Sequence, residues 1–166
     1  MNPELFVIRP ATVDDVQTII DFNTAMAQET EQRQLEPARL REGVRTVLGT
    51  SEHGFYVLAE HQQSGYGHVV GQLMITFEWS DWRNGVFWWV QSVYVMPEWR
   101  RHGVYRAMHD HIIAKARTDQ KVCGIRLYVE QQNHSAQSVY HRVGLRPSGY
   151  QVFEQDFVLQ SQRQVT

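Results

Sequence analysis

The chain has 166 residues, 42% of them apolar, with 16 Lys and Arg against 18 Asp and Glu for a net charge of −2. That is ample for one buried core and leaves no room for a second domain of ordinary size, so residues 1–166 are expected to form a single domain. The charge balance excludes the global basic field of non-specific nucleic-acid binding, and no apolar run approaches the ~18 residues of a membrane span. A start of Met-Asn-Pro-Glu lacks the basic and apolar parts of a signal peptide, which gives a cytoplasmic expectation.

Thr12 with Asp15 marks a helix start, continued by Val16, Ile19, Ile20 and Asn23 at helical period. Leu40, Val44, Val47 and Leu48 predict a second amphipathic helix entered through Pro37. Three strands follow, Phe55 to Glu60, Val69 to Trp79 and Val86 to Val95, the first two joined by a turn containing Gly65 and Gly67. Those glycines lie between strands, so they read as a hairpin turn and not as a dinucleotide fingerprint. Consecutive Trp88 and Trp89 must face opposite sides of the sheet unless a bulge intervenes, one in the core and the other on a pocket or interface.

The stretch from Gln91 to Met108 carries the strongest chemical signal. A β-branched strand runs through Pro97 into a basic turn, and Val104, Ala107, Met108 and Ile112 then return at helical spacing. Arg100 to Gly103 therefore sit at a helix start, where free N–H groups, the dipole and the guanidinium groups of Arg100, Arg101 and Arg106 favour a phosphate or diphosphate. A helix from about Arg101 to Arg117 leads to a strand around Ile125 to Val129. A short helix follows, with Asn133 as N-cap, Gly144 as stop, and Ala136, Val139, Tyr140 and Val143 on one face. A last strand is expected from Gln151 to Val158. The lone Cys123 beside a buried strand reads as a reduced structural thiol. The histidine pairs His102/His109 and His134/His141 are two helical turns apart, not one, so no metal site is expected.

Arg100-x-x-Gly103 followed by Asn133-x-x-Ala136-x-x-x-Tyr140-x-x-x-Gly144 resembles the GNAT superfamily of acyl-CoA N-acyltransferases, and the order of elements extends the resemblance from about Val7 to Phe157. The resemblance implies an α/β (α+β) fold, a mixed and mostly antiparallel central sheet of about six to seven strands flanked by about four helices, with a cofactor cleft between splayed fourth and fifth strands. It implies acetyl-CoA as co-substrate, pantetheine along the main chain of Val93, Tyr94 and Val95, and diphosphate on the segment Arg100, Arg101, His102, Gly103, Val104, Tyr105 and Arg106. Tyr105 departs from the family pattern, which has Gly or Ala at that place. Asn133 would reach the pantetheine region. Tyr140 would lie by the thioester sulfur, where a phenol of pKa near ~10 can donate to a departing thiolate of pKa near ~8.5.

The acceptor side is less defined. Where relatives often carry a glutamate this chain has Gln91, which cannot titrate but can position a water or the carbonyl. Glu78 is favoured as the base, with Asp81 nearby, and Glu29 or Glu31 would attract the amine. Trp79 and Trp89 would line its site, which suits a small-molecule or peptide primary amine; hydrophobic cover of a homodimer interface is the alternative use of these aromatics. The expected activity is direct acetyl transfer in a ternary complex. A CoA-binding or protein-interaction module on the same scaffold is the alternative that Gln91 and Tyr105 leave open.

Overall fold

Period-two apolar patterning in the first two thirds of the chain produces one sheet, and helices at 3.6 period cover both its faces. The computed structural model describes residues 6–63 and 66–159. Its strands are β1 (Phe6–Pro10), β2 (Gly54–Gln63), β3 (Tyr66–Ser80), β4 (Gly85–Val95) and β5 (Val122–Arg126), and its helices are α1 (Val16–Glu31), α2 (Pro37–Gly49), α3 (Val104–Thr118) and α4 (His134–Arg142). Sheet order follows chain order from β1 to β5; the first four strands are antiparallel, and β5 runs parallel to β4. The chain divides into two compact units, one ending at Gln131 and the other beginning at Gln132.

In the first unit the two sheet faces have separate cores. Val57, Ala59, Leu73, Ile75, Trp88 and Val90 pack with Val104, Met108 and Ile112 of α3. On the other face Tyr56 and Leu58 pack with Ile19 and Ile20 of α1 and Val44 of α2. Gly71 lets α3 approach closely: a Cβ there would lie 3.0 Å from Val104 Cγ1 and 3.1 Å from the Tyr94 carbonyl oxygen. Entry to α1 is fixed by Asp15, whose carboxylate accepts from the Thr12 N–H at 2.7 Å and from both terminal nitrogens of Arg9 at 2.7 Å. Glu36 caps α2, accepting from the N–H groups of Ala38 and Arg39 at 2.9 and 2.7 Å, with Pro37 in the first turn.

The helix and strand order is as the sequence predicts, with four corrections. Among the described residues the sheet has five strands, fewer than the expected six to seven. Residues 151–159 form no strand, and Val152, Phe153 and Phe157 are exposed. The run Val-Phe-Glu-Gln-Asp-Phe-Val lacks clean alternation, and a strand exists only with a paired neighbour. The fifth strand lies at Val122–Arg126 and not at Ile125–Val129, because a turn in which the Val122 N–H donates to the Asp119 carbonyl at 3.0 Å starts it directly after α3. Gly67 belongs to β3, opposite Gln62, while Gly65 lies outside the described residues.

The second unit contains α4. Asn133 caps it, its Oδ1 accepting from the Ala136 N–H at 3.0 Å, and the helix closes where the Leu145 N–H donates to the Tyr140 carbonyl at 3.0 Å around Gly144, whose φ is 92°.

Candidate active site

A bulge in β4 sets the geometry of the site. Gln72 opposes Tyr94 and Met74 opposes Gln91, so Leu73 alone faces both Ser92 and Val93. Ser92 takes a left-handed φ of 48°. The extra residue reverses the alternation beyond it: Val93 and Val95 pack with the α3 core, and Tyr94 turns to α1, its ring 5.0 Å from that of Phe22. Pairing with β5 covers β4 only from Val86 to Trp89, which faces Arg126. Among the described residues no strand pairs with that edge from Val90 to Val95, so its main-chain groups have no strand partner on that side once β5 has ended.

The same strand leads to a helix start. After a 3-10 turn at Pro97–Trp99, Arg101 and Gly103 take positive φ of 66° and 84°, and α3 begins at Val104. The first intrahelical acceptor is the Gly103 carbonyl, which binds the Ala107 N–H at 2.9 Å; the N–H groups of Val104, Tyr105 and Arg106 precede it and have no acceptor in their own helix. A Cβ on Gly103 would meet nothing within 4 Å, so the glycine serves the left-handed turn and the surface above it is open. Val104 is buried in the core and offers its backbone alone, while Arg101 and Arg106 are exposed, Arg106 3.8 Å from Asp110. His102 Nδ1 lies 2.9 Å from the Arg100 carbonyl. The Tyr105 ring lies back along the helix, 5.9 Å from His109.

Arg100 has a more specific position than a free phosphate clamp. Its Nε donates to the Val95 carbonyl at 2.9 Å and its Nη2 to Glu29 at 2.6 Å, which ties the end of β4 to the last turn of α1. Tyr94 also donates to Glu29, at 3.3 Å, and burial pushes its phenol pKa up. Glu29 thus sits beside the helix-start cradle, whereas Glu31 pairs with Arg33 at 3.4 Å on the surface.

Glu78, Trp89 and Gln91 share the α1 side of the sheet. The Trp89 indole N–H donates to the Glu78 carboxylate, which also binds Arg126 at 3.0 Å; Arg126 lies over the Phe87 ring at 3.6 Å. Gln91 donates to the Thr76 hydroxyl at 2.5 Å and accepts from the Tyr128 hydroxyl at 3.3 Å, and the Tyr128 ring is 5.7 Å from that of Trp89. The result is one wall with a carboxylate, an amide and two aromatic rings. Trp79 opposes Val86 on the other face and is exposed, and Asp81 lies in the hairpin turn, where it accepts from the Trp82 N–H at 2.9 Å. Trp88 fills the α3 core against Phe55, as one of the two adjacent tryptophans had to.

In the second unit Tyr140 is half-buried and burial raises its phenol pKa above the ordinary value. The side-chain oxygen of Asn133 serves as the helix cap.

Thr76, Arg126 and Tyr128 belong to the wall and were missed from the sequence. For Thr76 a signal existed, since Gln72, Met74, Thr76 and Glu78 alternate along β3 and share a face. Arg126 and Tyr128 became legible only when the register of β5 was known.

The family model for the acetyltransferase (GNAT) family matches residues 18–145. A possible acetyltransferase from Clostridium difficile 630 is 38% identical over 93% of this chain and 99% of its own, with a TM-score of 0.83. Two solved structures share the fold at lower identity. One is a probable acetyltransferase (20% identity, TM-score 0.77, covering 90% of this chain and 99% of its own). The other is a predicted acetyltransferase with acetyl-CoA from Clostridium acetobutylicum (14%, TM-score 0.71, covering 90% and 96%). No curated protein matches the chain.

Proposed function

The chain belongs to the acetyltransferase (GNAT) family, and on that premise we propose that it moves an acetyl group from acetyl-CoA to a primary amine of a small molecule or peptide, by direct attack in a ternary complex. The observation that carries this reading is the β4 edge from Val90 to Val95, released by β5 at Trp89 and leading through the Pro97–Trp99 turn to the start of α3. An extended pantetheine fits such an edge as an added strand, and a diphosphate fits a helix start with open space over Gly103. The main chain of Val93, Tyr94 and Val95 would hold the first, and the N–H groups from Arg101 to Arg106 the second. Arg100 would act by fixing the junction between the two through Val95 and Glu29.

The chemistry follows from the wall beneath that edge. The amine nitrogen attacks the thioester carbonyl carbon, negative charge gathers on its oxygen, the C–S bond breaks, and the proton lost by the amine passes to a base. Glu78 is the proposed base, being the carboxylate of the wall, and Trp89 the aromatic side on which the amine rests. Gln91, held between Thr76 and Tyr128, would orient the carbonyl or a water. A backbone N–H at the bulge, on Val93, would receive the oxyanion. Tyr140 would donate to the leaving thiolate; burial keeps its phenol protonated through neutral pH while making it a weaker acid, which suits a hydrogen bond to the developing charge. Asn133 would support the pantetheine arm through its helix cap.

A test is to incubate the protein with acetyl-CoA and a panel of arylalkylamines, polyamines, amino acids and short peptides, following released CoA thiol and the mass of the product. An acetylated amine with stoichiometric thiol is expected. One observation favours a second reading, a CoA-binding module without turnover: Glu78 already holds Arg126 and Trp89, so it has fewer lone pairs left for a proton. Saturable acetyl-CoA binding with no product from any amine would select that reading.

A further inference from the structure

The bulge at Ser92 does not stand on backbone alone. Behind it runs a buried polar chain that belongs neither to the strand ladder nor to the proposed chemistry. Gln72 Nε2 donates to the Ser92 carbonyl at 3.3 Å and to Asn23 Oδ1 at 2.8 Å, and Asn23 Nδ2 donates to the Tyr56 hydroxyl at 3.2 Å. The three members come from β3, α1 and β2, and their exposures are 0%, 5% and 4%. Leu58, Ile19 and Ile20 form the apolar core beside Tyr56.

Gln72 Oε1 is buried with no hydrogen-bond partner among the described residues. Leaving such an atom buried costs about 1–3 kcal/mol, and an apolar residue of similar volume would avoid that cost. Stability therefore gives a weak account of an amide at this position. A structural service does explain it. Ser92 holds a left-handed φ that a non-glycine residue rarely adopts, and such a conformation persists only where the surroundings over-determine it. Gln72 grips Ser92 by its carbonyl, Asn23 and behind it Tyr56 hold the Gln72 amide in place, and the next peptide unit carries the Val93 N–H.

We propose that Gln72 is a positioning residue whose buried carboxamide, braced by Asn23 and Tyr56, fixes the Ser92 bulge and so aligns the Val93 N–H with the acyl carbonyl of acetyl-CoA. This rests on the acetyl-CoA reading above and adds to it a set of residues that touch neither substrate. The alignment matters to the acetyl group and not to the rest of CoA, which the β4 edge and the α3 start would hold. Hence the network sets how much more tightly the protein binds acetyl-CoA than CoA, a quantity that is read without knowing the acceptor.

The test is calorimetric titration of the wild type, Gln72→Leu and Tyr56→Phe with acetyl-CoA and, separately, with CoA. One well-aligned hydrogen bond predicts that the wild type prefers acetyl-CoA by about three- to tenfold. In Gln72→Leu that preference should fall to about one while CoA affinity stays within about twofold; Tyr56→Phe, which keeps the core volume and loses only the hydroxyl, should lose part of it. Should Gln72→Leu fail to fold, Tyr56→Phe decides alone. A preference unchanged in the folded variants overturns the proposal, as does an equal fall for both ligands, which is the mark of general loosening. A wild type that binds both ligands alike overturns it too. A wild type that binds neither ligand instead refutes the acetyl-CoA reading itself, so the two failures are distinguishable.

Discussion

Replacing Glu78 by Gln separates the chemistry of the wall from its structure. The amide keeps the shape of the carboxylate and can still accept from the Trp89 indole, and it loses the charge that Arg126 binds at 3.0 Å. The side chains of Arg126 and Glu78 are 31% and 43% exposed, so the ion pair contributes about 0–1 kcal/mol after solvent screening. For a domain of this size that corresponds to a fall in Tm of at most about 4 °C. If Glu78 takes the proton of the amine, the loss in turnover is far larger, ~10²–10⁴-fold. At 1.36 kcal/mol per tenfold this is about 2.7–5.5 kcal/mol of barrier, several times the stability term. The assay is steady-state release of CoA thiol with whichever amine the panel identifies, beside a thermal melt and an acetyl-CoA titration. A drop of at least about a hundredfold in kcat is expected, with acetyl-CoA affinity within about twofold and a nearly unchanged melt. A kcat within about threefold of wild type would refute Glu78 as base and return it to a surface ion pair.

Tyr140→Phe should lower kcat by ~10²-fold and leave acetyl-CoA affinity nearly intact. Because burial raises the Tyr140 pKa, the protonated donor persists below that raised value and is lost above it. Wild-type kcat should therefore hold through neutral pH and decline only above the ordinary phenol value of ~10, a decline absent from the Phe variant; an identical alkaline limb in both would remove Tyr140 from the chemistry. At Gly103 a Cβ meets nothing, so Gly103→Ala should cost only the left-handed strain of about 1–2 kcal/mol in stability and bind acetyl-CoA normally. Gly103→Glu should weaken binding through charge, an effect that shrinks in high salt; salt-independent weakening would contradict an electrostatic cradle. Arg9→Met should destabilise by roughly 3 kcal/mol, since it strands the buried Asp15 carboxylate. Arg9 depresses the Asp15 pKa, chiefly by hydrogen bonding, so the pair's contribution is full above the unfolded carboxylate value and is lost as pH falls through the lower folded value. Chemical denaturation across acid pH should show that loss in the wild type and little of it in the variant.

The elements most legible in the sequence were those whose patterning is local. Thr12 and Asp15, Pro37, Asn133 and Gly144 mark helix boundaries by chemistry that acts within a turn or two, and each stands at or beside the end it was expected to mark, while Pro97 follows the end of β4 as expected. The strand start at Val122 was missed because it depends on pairing with Val86, a partner far away in sequence. The expected strand at 151–158 failed for the same reason, since apolar content does not supply a neighbouring edge. At the site, adjacent Trp88 and Trp89 were correctly divided between faces, but the bulge lies at Ser92, where no glycine announces it. The engagement of Arg100 with Glu29 joins α1 to the end of β4 and is a tertiary fact that no spacing encodes. Gln72 is a polar residue in β3 whose partners Asn23 and Ser92, and Tyr56 behind Asn23, come from other elements, so no local spacing points to it.

Whether the β4 edge and the start of α3 together bind acetyl-CoA is decided by calorimetric titration of the purified protein with acetyl-CoA and, as a second nucleotide, with NADH. Saturable one-to-one binding of acetyl-CoA and none of NADH is expected. Absence of acetyl-CoA binding, or equal binding of both, would contradict the claim and leave the edge and the helix start without the ligand assigned to them.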